Sequence, residues 1–278
     1  MTRRSMLTRR IVLAAVVLPV LATSVPLAAS AATGRATTDH ASSAACSPKV
    51  PSSGEPSHLA PPTNLLVPGY KLAYCTDFTG TKLPWGWDKF AGVPAGDAGG
   101  YFEPSHVFVH NGILSINTYW EATHGGVWAS GGVCACGLPR TYGAFFVRSR
   151  SVGFGPDEVE LLWPVAHEWP PEVDFNESAR LPWSSTWTVH FSSQDKTYEH
   201  TAFVSLLGWH TWGVYWAPHS LTFTVDGFVW GTVTDRRAIP RDAMTLDVQS
   251  QSFCGIAPEC PTAWSSLQVD WVEEFAPT

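Results

Sequence analysis

From Gly69 to the C-terminus, apolar and polar residues alternate with period two, and no stretch carries the 3.6-residue period of a long helix. That pattern excludes most architectures. A parallel sheet needs crossover helices, and there is no sequence for them. His106–Val109 and Ile113–Tyr119 flank Asn111-Gly112, two residues that accept the positive φ of a tight hairpin turn. Leu221, Phe223 and Val225 alternate with Thr222 and Thr224, and Asp226-Gly227 then turns the chain into Phe228–Val233. Trp212, Val214 and Trp216 alternate with Thr211, Gly213 and Tyr215; Val269, Trp271 and Glu273 alternate with Asp270, Val272 and Glu274. Further strands are predicted over Ala144–Arg150, Glu158–Trp163, Thr186–Phe191, Ala202–Leu206 and Met244–Gln249. Many short strands punctuated by turns predict an all-β fold, an antiparallel β-sandwich or jelly roll.

The N-terminus reads differently. Residues 1–31 combine Arg3, Arg4, Arg9 and Arg10 with an apolar run, Ile11–Ala22, and an Ala29-Ser30-Ala31 cleavage pattern, which predicts an export signal and a secreted protein. About 12 apolar residues interrupted by Pro19 are too few for a membrane anchor, which needs roughly 20. The two Arg-Arg pairs leave the twin-arginine and general routes both open. Residues 32–64, rich in Ala, Ser, Thr and Pro, predict a flexible leader, and 65–278 a single domain. The formal charge of -7 comes from 17 basic and 24 acidic residues; without the four signal arginines the balance is 13 against 24, or -11. Such an acidic body argues against nucleic acid as a partner.

Six cysteines (Cys46, Cys75, Cys134, Cys136, Cys254, Cys260) in an exported chain predict disulfides. Cys254 and Cys260 flank a loop and form the best pair. Cys134-x-Cys136 is tight for pairing with itself, so each is expected to reach elsewhere, with Cys75 and Cys46 as candidates. No C-x-x-C pair supports a metal site instead.

Chemistry concentrates in one segment. Glu172-Val173-Asp174-Phe175-Asn176-Glu177 places three acids within six residues. On a strand, Glu172 and Asp174 share one face while Val173 and Phe175 share the other. Glu177 is out of phase by one residue, and a β-bulge at Asn176 would return it to the acidic face. Two glutamates roughly 13 Å apart along the backbone can then bring their carboxyls to about 5 or 6 Å, close to the 5–5.5 Å of retaining glycosidases. Crowding also splits pKa values, keeping one acid protonated near neutral pH. An acid cluster on an edge strand is often no more than a solvated face, but Trp163, Trp169, Pro170 and Pro171 flank this one, and sugar rings stack on aromatic walls.

Glu172-Val-Asp174-Phe-Asn-Glu177 resembles the bulged E-[IV]-D-x-x-E signature of glycoside hydrolase family 16. Tyr74–Gly80 resembles the family's opening D-E-F-x-G, with Thr76-Asp77 in place of Asp-Glu. Tyr142–Arg148 resembles Y-G-x-F-E-x-R, with Phe146 in place of Glu. His210–Trp216, Thr222–Gly227 and Val269–Val272 resemble three later family segments in the same order.

The resemblance implies a jelly roll with a concave substrate cleft and a retaining double displacement on β-linked glucan or galactan. It implies Glu172 as nucleophile, Asp174 as its helper, Glu177 as acid/base, and His190 beside the cleft. It implies no catalytic cofactor, and a structural calcium held by Asp270 opposite the cleft. Arg148 is a substrate-binding candidate, with a surface ion pair as its other reading. More than half of the 14 tryptophans are expected in the core; Trp120, Trp128, Trp163, Trp169 and Trp264 are candidates for stacking on sugar. The remaining acids are expected at the surface. The bulged signature resembles the laminarinase type, pointing to β-1,3- or mixed-linkage glucan. A non-catalytic carbohydrate-binding jelly roll, a transglycosylase and an agar-type hydrolase remain alternatives. The expected partner is a polysaccharide, with no nucleic acid, no membrane after signal cleavage, and a monomeric chain.

Overall fold

In the computed structural model, described over residues 56–61, 68–254 and 260–278, the alternation resolves into seventeen strands. They are β1 Tyr70–Thr76, β2 Asp88–Lys89, β3 Gly100–Phe102, β4 Val107–His110, β5 Ile113–Glu121, β6 Val127–Ser130, β7 Gly132–Cys134, β8 Gly143–Val152 and β9 Asp157–Pro164. The chain continues through β10 Glu172–Glu177, β11 Ser184–His190, β12 Thr197–Phe203, β13 His210–Ala217, β14 Ser220–Val225, β15 Phe228–Val233, β16 Met244–Gln251 and β17 Ser265–Pro277. The predicted export signal, most of the leader and Cys46 lie outside the described residues. No helix among the described residues is long and apolar enough to cross a membrane.

One sheet runs β15-β14-β13-β8-β17-β5-β6-β3, with β1 also on β17 and β4 on β5; the other runs β2-β7-β16-β9-β10-β11-β12. Both predicted hairpin turns form with positive φ, Asn111 at 53° and Gly112 at 76°, Asp226 at 50° and Gly227 at 81°. Trp212, Val214, Trp216 and Phe223 of the first sheet share one apolar cluster with Leu162, Val173, Phe175 and Val248 of the second, so the core lies between the sheets. Each such fully buried large side chain contributes roughly 1.5–3 kcal/mol.

Four expectations change. Only Trp87, Trp187, Trp212, Trp216 and Trp271 are buried, so fewer than half of the tryptophans are core; the others stand on strand edges, loops and the cleft. Cys134 pairs with Cys136, because the chain leaves β7 at Cys134 and brings the two Cα atoms to 5.0 Å, within disulfide reach. Cys254 pairs with Cys260 as expected. Part of the predicted leader is docked: Ser57 is buried, and Trp271 Nε1 donates to the Leu59 carbonyl at 2.8 Å. Finally, the acids beyond the cluster are not all superficial. Glu158, Glu160, Asp247, Asp270, Glu273 and Glu274 are all buried.

Glu158 and Glu160 alternate with cleft-facing residues of β9 and point between the sheets, where Ser151 donates to Glu158 and Asn176 Nδ2 donates to Glu160 at 2.8 Å. Burial pushes both carboxyls up to about 8, so they sit neutral in the fold at neutral pH. An unfolded glutamate ionises near 4.3. The stability these groups contribute is therefore complete below about pH 4 and is lost as pH rises through about 8, by up to roughly 1.4 kcal/mol per pH unit for each group. Glu160→Gln is expected to flatten this decline. Thermal unfolding from pH 4 to 8 checks it, and an unchanged slope would refute the neutral state.

Candidate active site

β10 carries Glu172, Asp174 and Glu177 into one cleft of about 820 Å³ on the second sheet. Glu172 lies opposite His190 and Asp174 opposite Thr188 on β11; the register then shifts, and Glu177 lies opposite Thr186. On the other side Asp174 faces Leu161 and Asn176 faces Glu160, with the shift between them. Phe175 and Asn176 together turn away from the cleft: Phe175 enters the core, and the Asn176 side chain bonds Glu160 at 2.8 Å and Ser185 at 2.6 Å. Two residues thus occupy one inward position. The bulge predicted from the phase of Glu177 is present, and all three acids face the same way.

Their surroundings differ in a chemically useful manner. Trp169, on the loop before β10, donates its indole N–H to Glu172 Oε2 at 2.7 Å. His190 places Nε2 3.4 Å from Asp174 Oδ2 and Nδ1 2.6 Å from Asp195 Oδ1. Burial alone would lower the imidazole pKa, yet the bond to Asp174 and its charge, the bond to Asp195 and the charge of Glu172 raise it to about 10. A cation therefore stands among the acids. Burial pushes Glu172 upward, helped by Asp174, while His190 and the Trp169 N–H pull the other way. Glu177 is also pushed up by burial, and then by Asp157; of its direct hydrogen-bond donors, the Thr188 hydroxyl is at 3.3 Å. Asp174 is raised by burial and lowered by its bond to His190.

Of the substrate-binding candidates, Trp163, Trp169 and His190 line this cleft. Trp128 does not; it sits on β6 across from Trp120 and Gly100, in the other sheet. Arg148 does not either. It lies on β8, where its guanidinium donates to the Ser57 hydroxyl at 2.6 Å, the Thr211 hydroxyl at 3.1 Å and the Ser57 carbonyl at 3.4 Å. It clamps the docked segment and cannot reach substrate in the cleft.

Asp270 belongs to that same region. Its Oδ2 accepts the Ser57 N–H at 3.1 Å, and its buried Oδ1 lacks a hydrogen-bond partner. Calcium takes six to eight oxygens. Here both Ser57 oxygens already accept from Arg148, and no cluster of three acidic, His or Cys ligands among the described residues includes Asp270. These residues do not fit a calcium ion, and the Arg148 guanidinium supplies positive charge nearby. The three-ligand group that does form, Glu103, Glu121 and His124, is accounted for by its own pairs: His124 with Glu103 and His106 with Glu121, each at 3.1 Å.

Two cleft acids escaped the sequence reading. Asp157 and Asp247 both line the cleft and are both buried. Asp247 accepts from Thr245 at 3.1 Å, and burial, with Glu172 adding, raises it to about 8. Each stands in phase with cleft-lining neighbours on its strand, Asp157 with Trp163 and Asp247 with Thr245. That phase was visible in the sequence. Which face of β9 or β16 looks into the cleft depends on the partner strand.

Comparison with known proteins follows the same outline. Residues 141–273, which contain β8 to β16 and the carboxylate strand, match the family model of Glycosyl hydrolases family 16. The laminarinase from Rhodothermus marinus superposes with a TM-score of 0.67 at 21% identity, covering 76% of this chain and 99% of that one. A non-specific endo-β-1,3(4)-glucanase of family 16 gives 0.67 at 20%, covering 76% and 92%. An endo-acting O-glycanase from the human gut microbiota, associated with mucin breakdown, gives 0.66 at 19%, covering 78% and 94%. A comparison with curated proteins gives no match. The likeness to the solved structures establishes the jelly-roll fold, and the family match over the carboxylate strand and both its neighbours places residues 141–273 in glycosyl hydrolase family 16 and marks the protein as a glycoside hydrolase.

Proposed function

We propose that this chain is a secreted, retaining endo-glycanase that cleaves β-1,3- or mixed-linkage β-1,3-1,4-glucan by double displacement. The observation that carries the proposal is the bulged strand itself, which aims Glu172 and Glu177 into one aromatic-lined cleft. The Trp169 indole N–H and the His190 cation pull Glu172 toward the carboxylate, against burial and Asp174. Burial and Asp157 push Glu177 toward the proton, against His190. In this reading Glu172 attacks the anomeric carbon while Glu177 protonates the departing glycosidic oxygen. Glu177 then takes a proton from water, the water oxygen attacks the glycosyl-enzyme, and Glu172 departs. Asp174, held by His190, restrains Glu172 from below. Trp163 and the exposed Trp169 offer aromatic faces to the sugar. An acidic protein suits a neutral polysaccharide, which asks for no charge complement. The solved neighbours named as laminarinase and endo-β-1,3(4)-glucanase favour glucan as substrate.

The test is product mapping on laminarin, lichenan, agarose and xyloglucan, with the anomer formed first read by NMR. Cleavage of laminarin or lichenan with the β-anomer first is expected. Attack on agarose alone, or α-anomer first, would refute the substrate or the mechanism respectively; chain lengthening would mark a transglycosylase.

Trp169 gives a finer check. Trp169→Phe keeps an aromatic face and removes the N–H to Glu172. A hydrogen bond to a charged group contributes about 1.5–3 kcal/mol when buried, and this indole is partly exposed, so kcat should fall roughly tenfold with KM little changed. A rise in KM at constant kcat would assign Trp169 to binding alone.

A further inference from the structure

Asp157 opens β9, two residues before Val159, the residue paired with Glu177 on β10. It is buried on the same cleft face as Glu177, is held at 3.1 Å by the hydroxyl of Ser178, the residue after Glu177, and lies close enough for the two carboxyls to shift each other's ionisation. Two carboxyl groups this close need one proton between them, so the question is which of the two keeps it. The donors answer it. Ser178 Oγ accepts the N–H groups of Glu158 at 2.9 Å and Arg180 at 3.2 Å, which leaves its single proton for Asp157 Oδ1 at 3.1 Å. The neighbouring Ala179 backbone N–H also pulls the Asp157 pKa down. Asp157 is therefore held as the acceptor, and Glu177 is the partner that carries the proton.

We propose that Asp157 is a positioning residue for the proton of Glu177, keeping it on the acid before the glycosidic bond breaks and making Glu177 the stronger base afterwards. The two phases follow from one contact. While protonated, Glu177 donates to Asp157 or to the glycosidic oxygen. Once that proton has passed to the leaving sugar, two carboxylates face each other, and Glu177 is driven to take a proton from the incoming water. The ionisable groups facing this pair are Glu172 and Asp174 from β10 and His190 from β11; Asp247 from β16 faces Glu172. Burial and Asp157 both push Glu177 upward, in agreement with this arrangement.

The proposal rests on Glu177 as acid/base, and the experiment separates the two claims. The alkaline limb of kcat/KM on laminarin reports loss of the Glu177 proton. In Asp157→Asn that limb should move down by about one pH unit, with roughly a tenfold loss of turnover at pH 8 that recovers toward wild type at lower pH. On a dinitrophenyl β-glucoside of the same glucan chain, whose leaving group needs little protonation, the loss in glycosylation should be about twofold or less. If Asp157→Asn does not fold, the smaller and equally neutral Asp157→Ser reads the same limb. An unchanged alkaline limb in a folded variant, or equal losses on both substrates, overturns the role of Asp157. Wild-type glucan turnover in Glu177→Gln would instead overturn the acid/base assignment itself.

Discussion

Glu172→Ala should lower kcat/KM on its β-glucan by roughly ten-thousand-fold or more, about 5.5 kcal/mol of barrier, while the protein stays folded and still binds glucan. The size follows from the chemistry. Without the carboxylate no glycosyl-enzyme forms, and Asp174, one methylene shorter and tied to His190, cannot take over the attack. Folding should be spared, because Glu172 is a half-buried carboxyl whose ionisation burial disfavours. The substitution leaves a small space beneath the anomeric carbon, with Glu177 still able to protonate the leaving group. Added azide should therefore restore part of the cleavage and yield a glycosyl azide of inverted, α configuration. Turnover near wild type in Glu172→Gln would remove Glu172 from the mechanism. A β-configured azide would exchange the roles of the two glutamates.

Much of this site could be read from residue order because it depends on local phase. Period two puts Glu172 and Asp174 on one face, and the out-of-phase Glu177 forces either a bulge or an acid turned into the core; burying an unpaired carboxylate is so unfavourable that the bulge wins. The hairpin turns at Asn111-Gly112 and Asp226-Gly227 were legible for a similar reason, since few residue pairs accept two positive φ values. What depended on tertiary pairing was hidden. The sequence pattern puts Val269 and Trp271 on one face, but the register of β17 shifts between them, and Val269 joins the core while Trp271 turns out to meet Leu59. Arg148 alternates correctly along β8, yet β8 belongs to the sheet that does not bear the cleft. Glu158 and Glu160 look like the polar half of an amphipathic strand. They face inward because β9 is a central strand whose other face is committed to the cleft, and Ser151 and Asn176 meet them there. A neutral, hydrogen-bonded glutamate is tolerable in such a place, whereas an ionised one is not.

Glu177→Ala should separate leaving-group chemistry from the rest of the reaction. General acid catalysis is worth about 10²- to 10⁴-fold, so glucan hydrolysis should fall within that range. An aryl glycoside with a good leaving group should lose far less in glycosylation, since its departing oxygen hardly needs the proton. The second step still needs a base, and azide, which needs none, should accelerate it and give a β-configured glycosyl azide, opposite to the product from Glu172→Ala. The pH dependence supplies an independent sign. Burial and Asp157 both raise the pKa of Glu177, so the protonated, competent form persists to higher pH than an ordinary glutamate and is lost only above it. Wild-type kcat/KM should therefore decline on the alkaline side well above the usual carboxyl range, and Glu177→Ala should abolish that decline. An alkaline limb that survives in Glu177→Ala would belong to another group, with His190, raised to about 10 by its acidic neighbours, next in line.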